Sequence, residues 1–270
     1  MASKLTIHYA TLARQASQAW PEGADVDNLN DLLRMLGRWR TRMLANTHIH
    51  HHGPVITGGP FAGMKYLDTT TEGALIPRLL GTYESELHPY LAKLEAGGLD
   101  CVIDVGCAEG YYAVGLARAM PGVTVYAYDT EEAARMKCAE LASINGVADR
   151  VIIGGEFPPD GFEAFAGRRA LVIVDTEGAE VDILQPALSP ALARMNVIVE
   201  THDLYRQGAL ATMLERFGPT HDIVRVDQAV KVFDMPPWLA ELPHLDQLLA
   251  VWEWRARPTP WLVMTPRASV

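Results

Sequence analysis

Asp104, Asp129, Asp175 and Glu200 each stand at or beside the end of a short apolar or β-branched run, and His202 follows Glu200 by two residues. If those runs are parallel strands, the acids and the imidazole gather on one open sheet edge, where α/β proteins of this kind bind ligands. Asp175, Glu200 and His202 then support two kinds of chemistry. A neutral His202 ring, with Asp175 beside it, can take a proton from a hydroxyl near pH 7. Asp175 and Glu200, joined by Asp203 or His202, can instead hold a hard divalent cation, Mg or Mn, and lower the pKa of a bound hydroxyl. The structural alternatives are a helix-start or loop role for Asp175, and Glu177 and Glu180 as acids complementing a helix N-terminus.

A second signal lies upstream. Asp104-Val105-Gly106-Cys107-Ala108-Glu109-Gly110 leads from an apolar run into a helical stretch at Ala113 to Met120. Small residues in such a turn let the backbone approach a ligand closely. No Gly-Lys-Ser/Thr follows, which excludes a phosphate-binding P-loop, and Tyr111 stands where a dinucleotide loop needs its third glycine. Asp104 and Glu109 would repel a pyrophosphate and accept an ammonium. Asp129 lies 129 − 110 = 19 positions beyond Gly110, a spacing at which a strand-tip acid accepts both ribose hydroxyls.

The loop and Asp129 resemble the first two motifs of class I S-adenosylmethionine (SAM)-dependent methyltransferases. Asp175-Thr176-Glu177-Gly178-Ala179-Glu180 is similar to the Asp-x-Glu-Gly-Ala-Glu segment of FkbM-like methyltransferases, and the resemblance covers about residues 97–203. It implies that Gly106, Cys107, Ala108 and Gly110, with Asp104, meet the methionine moiety and that Asp129 holds the ribose. Thr130, Gly155 and Glu156 would flank the adenine, Asp175 would lie near the methyl group, and Tyr83 of Thr82-Tyr83-Glu84 would close over the cofactor. The activity implied is methylation of a hydroxyl on a small-molecule acceptor. Peptide, protein or N-methylation and non-catalytic SAM binding are the alternatives, and a homodimer is allowed.

The elements that must position these residues are legible as alternating segments. Strands are expected at Cys101 to Val105, Val123 to Tyr128, Val151 to Ile153, Ala170 to Val174, Val197 to Val199, His221 to Val226 and Pro260 to Met264. Apolar runs such as Ala170 to Val174 mark strands buried on both faces of a parallel sheet, and alternation with helices marks right-handed crossovers. The expected fold is an α/β Rossmann-like doubly wound sheet, by resemblance seven-stranded with the last strand antiparallel, carrying a helical N-terminal extension. Residues 1–96 form that extension and cover the cofactor; residues 97–270 form the SAM-binding domain, with an insertion at about 227–258. Within the extension, Asp27 to Met43 places Leu29, Leu32, Leu33, Leu36 and Trp39 at helical spacing. Residues 53–71 read as a loop or hairpin, and Glu84 to Leu94 as a helix entered near Pro89. His48, His50, His51 and His52 read as a polar loop, and Trp238, Trp252 and Trp254 as core.

Composition bounds the partners. The chain has 23 Lys plus Arg against 33 Asp plus Glu, a formal charge of −10, which argues against nucleic acid. No run reaches the ~18 apolar residues of a membrane span, and three cysteines without a CxxC pair argue against disulfides or structural zinc. The reading is a soluble cytoplasmic protein with no membrane partner.

Overall fold

The computed structural model describes residues 3–20, 23–255 and 257–267. The extreme ends of the two expected segments, at 1–2 and 268–270, lie outside the described residues. Along the chain run α1 (Lys4–Gln18), α2 (Val26–His52), α3 (Leu75–Leu80), α4 (His88–Ala96), β1 (Cys101–Val105), α5 (Tyr111–Ala119), β2 (Thr124–Tyr128), α6 (Glu132–Ile144) and β3 (Val151–Gly154). They are followed by β4 (Ala170–Val174), α7 (Glu180–Ile183), β5 (Asn196–Glu200), α8 (Ala209–Phe217), β6 (His221–Val226), α9 (Pro237–Ala240), α10 (His244–Ala250) and β7 (Trp261–Pro266).

The seven strands form one sheet in the order β3-β2-β1-β4-β5-β7-β6. The first five pair in parallel, and β7 is antiparallel to both β5 and β6. This is the expected Rossmann-like doubly wound sheet with its last strand antiparallel. Period-2 alternation sends Val102, Leu171 and Ile173 into the core on one face, and Cys101, Ile103, Val105, Val172 and Val174 into the core on the other. Both β1 and β4 are buried at all five positions, which is why they read as continuous apolar runs.

Register decides where the chemistry falls. Val105 pairs with Tyr128 and with Val174, and Val174 pairs with Val199. The residues that follow, Asp129, Gly106, Asp175 and Glu200, therefore stand in a row across four adjacent strand ends. The strand order reverses between β1 and β4, the crevice in which ligands of such sheets bind.

The N-terminal segment differs from expectation in two respects. Helix α2 is longer than the 27–43 stretch and includes the histidines, so His48 to His52 form its last turns and not a loop. His48 is fully buried, its Nε2–H donating to the Val55 carbonyl at 3.0 Å, and His51 stacks on Trp238. Helix α1, which buries no residue, and the short buried helix α3 were not anticipated. The α2 apolar stripe is only partly used: Leu29, Leu33 and Leu36 remain exposed, while Thr41, Leu44, Ala45 and His48 are buried. No helix of the described residues is long and apolar enough to cross a membrane.

Candidate functional site

The loop after β1 is fixed by close approach. The amides of Gly106 and Cys107 both donate to the Tyr128 carbonyl, at 2.8 and 3.0 Å, and the Asp175 amide donates to Val105 at 3.0 Å. Gly106 has φ +84, and a Cβ there would sit 1.7 Å from the Asp175 carbonyl oxygen. Only glycine fits between the two strand ends. Gly110, at φ +93, opens α5, and its Cβ would meet the Cys138 sulfur at 2.8 Å. These glycines are required by chain packing whatever binds above them.

Asp129 is held rigidly at the tip of β2. Its Oδ2 accepts from the Ala108 amide at 2.9 Å and its Oδ1 from the Glu131 amide at 2.8 Å. Each oxygen keeps a further lone pair. Around it opens a cleft of about 460 Å³, lined among others by Gly106, Ala108, Asp129, Thr130, Gly155, Glu156 and Asp175. Its described lining includes seven carboxylates, Glu72, Asp129, Glu131, Glu156, Asp175, Glu177 and Asp182, and no lysine or arginine.

Two expected acids are elsewhere. Asp104 is buried beneath the loop and does not line this cleft; burial, only partly offset by the Ala113 amide, pushes its carboxyl up to about 7, and its Oδ2 has no partner. Glu109 is also buried. It accepts from the Tyr66 hydroxyl at 2.7 Å and the Thr71 amide at 2.9 Å and faces Arg78 at 3.5 Å, so it anchors the N-terminal segment to the loop. Beside the expected Asp129, Asp175 and Glu156, the acidity of the cleft comes from Glu177, read from the sequence as a helix-start acid, and from Glu72, Glu131 and Asp182, which sequence spacing did not single out. Cys107 and Gly110, expected against the methionine moiety, line neither compartment, and Cys107 is buried.

A second compartment of about 290 Å³ shares Glu72, Gly106, Ala108, Asp175 and Glu177 with the first, so the two are continuous. Its lining adds Tyr83, Glu200, His202, Tyr205, Trp254 and Arg255, with Arg38, Arg78, Arg257 and Thr259. Tyr83, expected over the cofactor, lies in this compartment, against the Arg78 guanidinium 4.0 Å from its ring centre.

His202 is held from behind by Glu180. That buried carboxylate accepts the His202 amide at 2.8 Å and the Gly178 amide at 2.8 Å, and lies 3.6 Å from Nδ1. Glu180 is thus a positioning residue for His202 and not simply an acid at a helix start. The ring's Nε2 faces Glu200 at 3.4 Å and Asp175 at 3.6 Å. Burial disfavours the ring's cation, but Glu180, Glu200 and Asp175 outweigh it and push His202 up to about 10. The ligand-free ring is therefore an imidazolium at neutral pH, contrary to the neutral ring expected. The missing information was long-range: four acidic side chains, Asp175, Glu177, Glu180 and Glu200, converge on one ring. Burial and the neighbouring Glu200 and Glu84 charges raise Asp175 well above the carboxylate range. Glu200 is held down to about 2, because His202, Arg255 and Thr259 outweigh its burial.

Asp175, Glu200 and His202 offer ligand atoms within 4.8 Å of one another, the group among the described residues with metal-like spacing. The donor set suits a hard divalent cation poorly. Glu200 Oε1 already receives Arg255 and, at 2.6 Å, the Thr259 hydroxyl, so that oxygen is taken by the protein's own donors. Asp203 does not belong to this group: it lines neither compartment, and its carboxylate accepts from the Gly208 and Leu210 amides at the start of α8.

Arg255 organises the deep wall. It pairs with Glu200, with Glu84 at 2.5 Å and with Glu253 at 3.0 Å, while Lys231 bridges Glu253 at 2.7 Å to Glu86. Tyr112 donates to Glu84, whose burial raises its carboxyl to about 7. Sequence reasoning missed Arg255, Glu253 and Lys231, which sit in the irregular stretch after β6 with no motif around them. A physical marker does coincide with the site. The four non-glycine residues of the described chain with positive φ are Glu84, Ala108, Glu177 and Trp254; three line the second compartment and the fourth pairs with its Arg255. Strain of this kind, about 1–3 kcal/mol each, collects at functional sites.

No protein-family profile matches the chain, and no curated protein is similar to it in sequence. Among solved structures, it is similar to a human methyltransferase 10 domain containing protein, at 12% identity over 84% of this chain and 97% of that one, with a TM-score of 0.48. A putative O-methyltransferase from Klebsiella pneumoniae is 10% identical over 96% of this chain and 98% of its own, with a TM-score of 0.47. An O-methyltransferase from Streptomyces achromogenes, solved in complex with SAM, is 16% identical over 66% and 80%, with a TM-score of 0.42. TM-scores below 0.5 leave activity and substrate to be argued from this chain's own residues.

Proposed function

We propose that this protein is a SAM-dependent methyltransferase acting on a hydroxyl of a small molecule. The observation that carries the reading is the first compartment, with seven acidic side chains, six besides the raised Asp175, and no described cation around a glycine-bounded loop and a strand-tip aspartate. That lining repels a pyrophosphate and attracts a ligand bearing an ammonium and a sulfonium. Asp129 supports ribose binding through the lone pairs its backbone contacts leave free. Thr130, Gly155 and Glu156, on the same wall, support an adenine site. The narrower likeness to FkbM-like methyltransferases rests on the Asp175 to Glu180 segment, whose last residue orients His202.

Bound in this cleft, SAM supplies a methyl carbon that passes to the acceptor oxygen as the S–C bond breaks and the O–C bond forms, leaving S-adenosylhomocysteine. The protein's part is alignment and proton removal. Asp175 belongs to both compartments and marks their junction. His202, with Asp175 beside it, accepts the hydroxyl proton at Nε2, and Glu180 fixes the ring from the other side. With a ring pKa near 10, the neutral form is the minority at pH 7 and a strong base when present. No step is routed through a metal, because Arg255 and Thr259 already occupy Glu200 Oε1.

The test is methyl transfer from labelled SAM to a panel of small phenols and alcohols. For an accepted substrate, His202→Ala lowers kcat by about 10²–10⁴-fold while SAM affinity stays at the wild-type value. Wild-type turnover rises with pH towards about 10, because the base must lose its proton. A pH-independent rate, or full activity in His202→Ala, would remove His202 from this role.

A further inference from the structure

The second compartment has a charge asymmetry that points to its occupant. Its deep acids are compensated: Glu200 by Arg255 and Thr259, and Glu253 by Lys231 and Arg255. Arg78 faces buried Glu109. The remaining acids, Glu72, Asp175 and Glu177, are those shared with the first compartment, where a cationic methyl donor would offset them. That leaves Arg38 and Arg257, both exposed, on the lining without an ion pair among the described residues.

Arg38 is placed by packing. Its guanidinium carbon lies 5.2 Å from the centre of the Trp254 ring, and the Trp254 indole N–H donates to Thr41 Oγ1 at 3.1 Å. Arg38 and Thr41 are three residues apart on α2, so one helix face carries both. Trp254 itself is held at φ +68, a conformation costly for a bulky residue. Its indole, Tyr83 and Tyr205 supply flat apolar surface in a space of about 290 Å³, room for a single-ring compound. Guanidinium groups recognise carboxylate and phosphate oxygens through paired hydrogen bonds.

We infer that the second compartment binds the acceptor as a hydroxylated, single-ring organic anion, its anionic group on Arg38 and Arg257 and its hydroxyl towards Asp175 and His202. The assignment of the hydroxyl end rests on the methyl-transfer reading; the anion site does not. An amine acceptor is disfavoured because its ammonium would face two unpaired arginines.

The experiment is calorimetric titration of four matched probes, 4-hydroxybenzoate, 4-hydroxyphenyl phosphate, the neutral 4-hydroxybenzamide and the cationic tyramine, into the full chain with and without S-adenosylhomocysteine. At least one anion is expected to bind ten-fold or more tightly than the amide, with tyramine weakest. The benzoate and phosphate arms tell a carboxylate from a phosphate site. Replacing both Arg38 and Arg257 by Gln should erase that preference while leaving affinity for the amide and for S-adenosylhomocysteine unchanged, and Lys at both positions should retain part of it. An amide that binds as tightly as both anions, tyramine as the tightest probe, or a preference that survives the double Gln variant overturns the inference. If S-adenosylhomocysteine does not bind but the arginine-dependent anion preference stands, the anion site is upheld and the methyl-transfer reading falls. If S-adenosylhomocysteine binds and the preference is absent, the inference alone falls.

Discussion

The two compartments of the cleft are built by different means. The first lies over the ends of β1 to β4, and apart from Glu72 its lining comes from those strand ends and the segments that follow them. It is acidic throughout and carries no described cation. The second lies over β4 and β5, and it draws Arg38, Arg78 and Tyr83 from the N-terminal extension and Trp254, Arg255, Arg257 and Thr259 from the stretch before β7. Its charges are mixed and largely paired. A ligand common to many chemistries can be held by a local motif, whereas a specific acceptor requires walls contributed from distant segments. On the methyl-transfer reading proposed above, the cofactor side is then mostly local in sequence and the acceptor side mostly long-range.

The comparison can be broken most severely at Gly106, where the two compartments meet. Gly106→Ala forces a Cβ to 1.7 Å from the Asp175 carbonyl oxygen at φ +84. It should lower stability by on the order of 4 kcal/mol and abolish SAM binding. A wild-type melting temperature in that variant would show that the strand ends are not locked together.

Asp104 sharpens the first compartment by separating burial from ligand contact. Its carboxyl is raised to about 7, above its unfolded value, so the folded state binds its proton more tightly. Stability on its account is therefore greatest below pH 4 and falls as pH rises from about 4 to 7. Asp104→Asn keeps an acceptor for the Ala113 amide and removes the penalty, so the ligand-free variant should gain on the order of 2 kcal/mol at pH 8 and nothing at pH 4. Equal destabilisation at both pH values would contradict this assignment.

The smallest expected effect concerns the second compartment. If Arg255 and Thr259 compensate Glu200 as the geometry indicates, EDTA leaves the methyl-transfer rate unchanged and added Mg or Mn does not raise it. A rate lost with EDTA and restored by Mg would show that a cation displaces the protein's own charges.

Much of the first compartment was legible because its determinants lie within short windows. Buried β1 and β4 announce themselves as unbroken apolar runs, and Gly106, Gly110 and Asp129 follow at spacings set by one strand-turn-helix unit. The exceptions were geometrical. Spacing brings Asp104 and Glu109 to the loop, but only the folded chain turns Asp104 under it and Glu109 towards Arg78 and Tyr66. The second compartment was legible where it touches a strand end, at Asp175, Glu200 and His202, and at Tyr83, which was expected over the cofactor. Arg255, 55 residues beyond Glu200, belongs to no periodic element, and its role depends on β7 returning antiparallel beside β5. The protonation of His202 was hidden for the same reason. Glu180 reaches it across 22 residues, and no local pattern distinguishes that carboxylate from a solvated acid at a helix start.

The central claim is that the acidic first compartment is a SAM site. It is tested most directly by titrating SAM and, in parallel, NAD into the purified protein and into Asp129→Ala. The account predicts saturable one-to-one binding of SAM, no binding of NAD, and a loss of SAM affinity of about ten-fold or more in Asp129→Ala. Binding of NAD without SAM, or SAM affinity indifferent to Asp129, would contradict it.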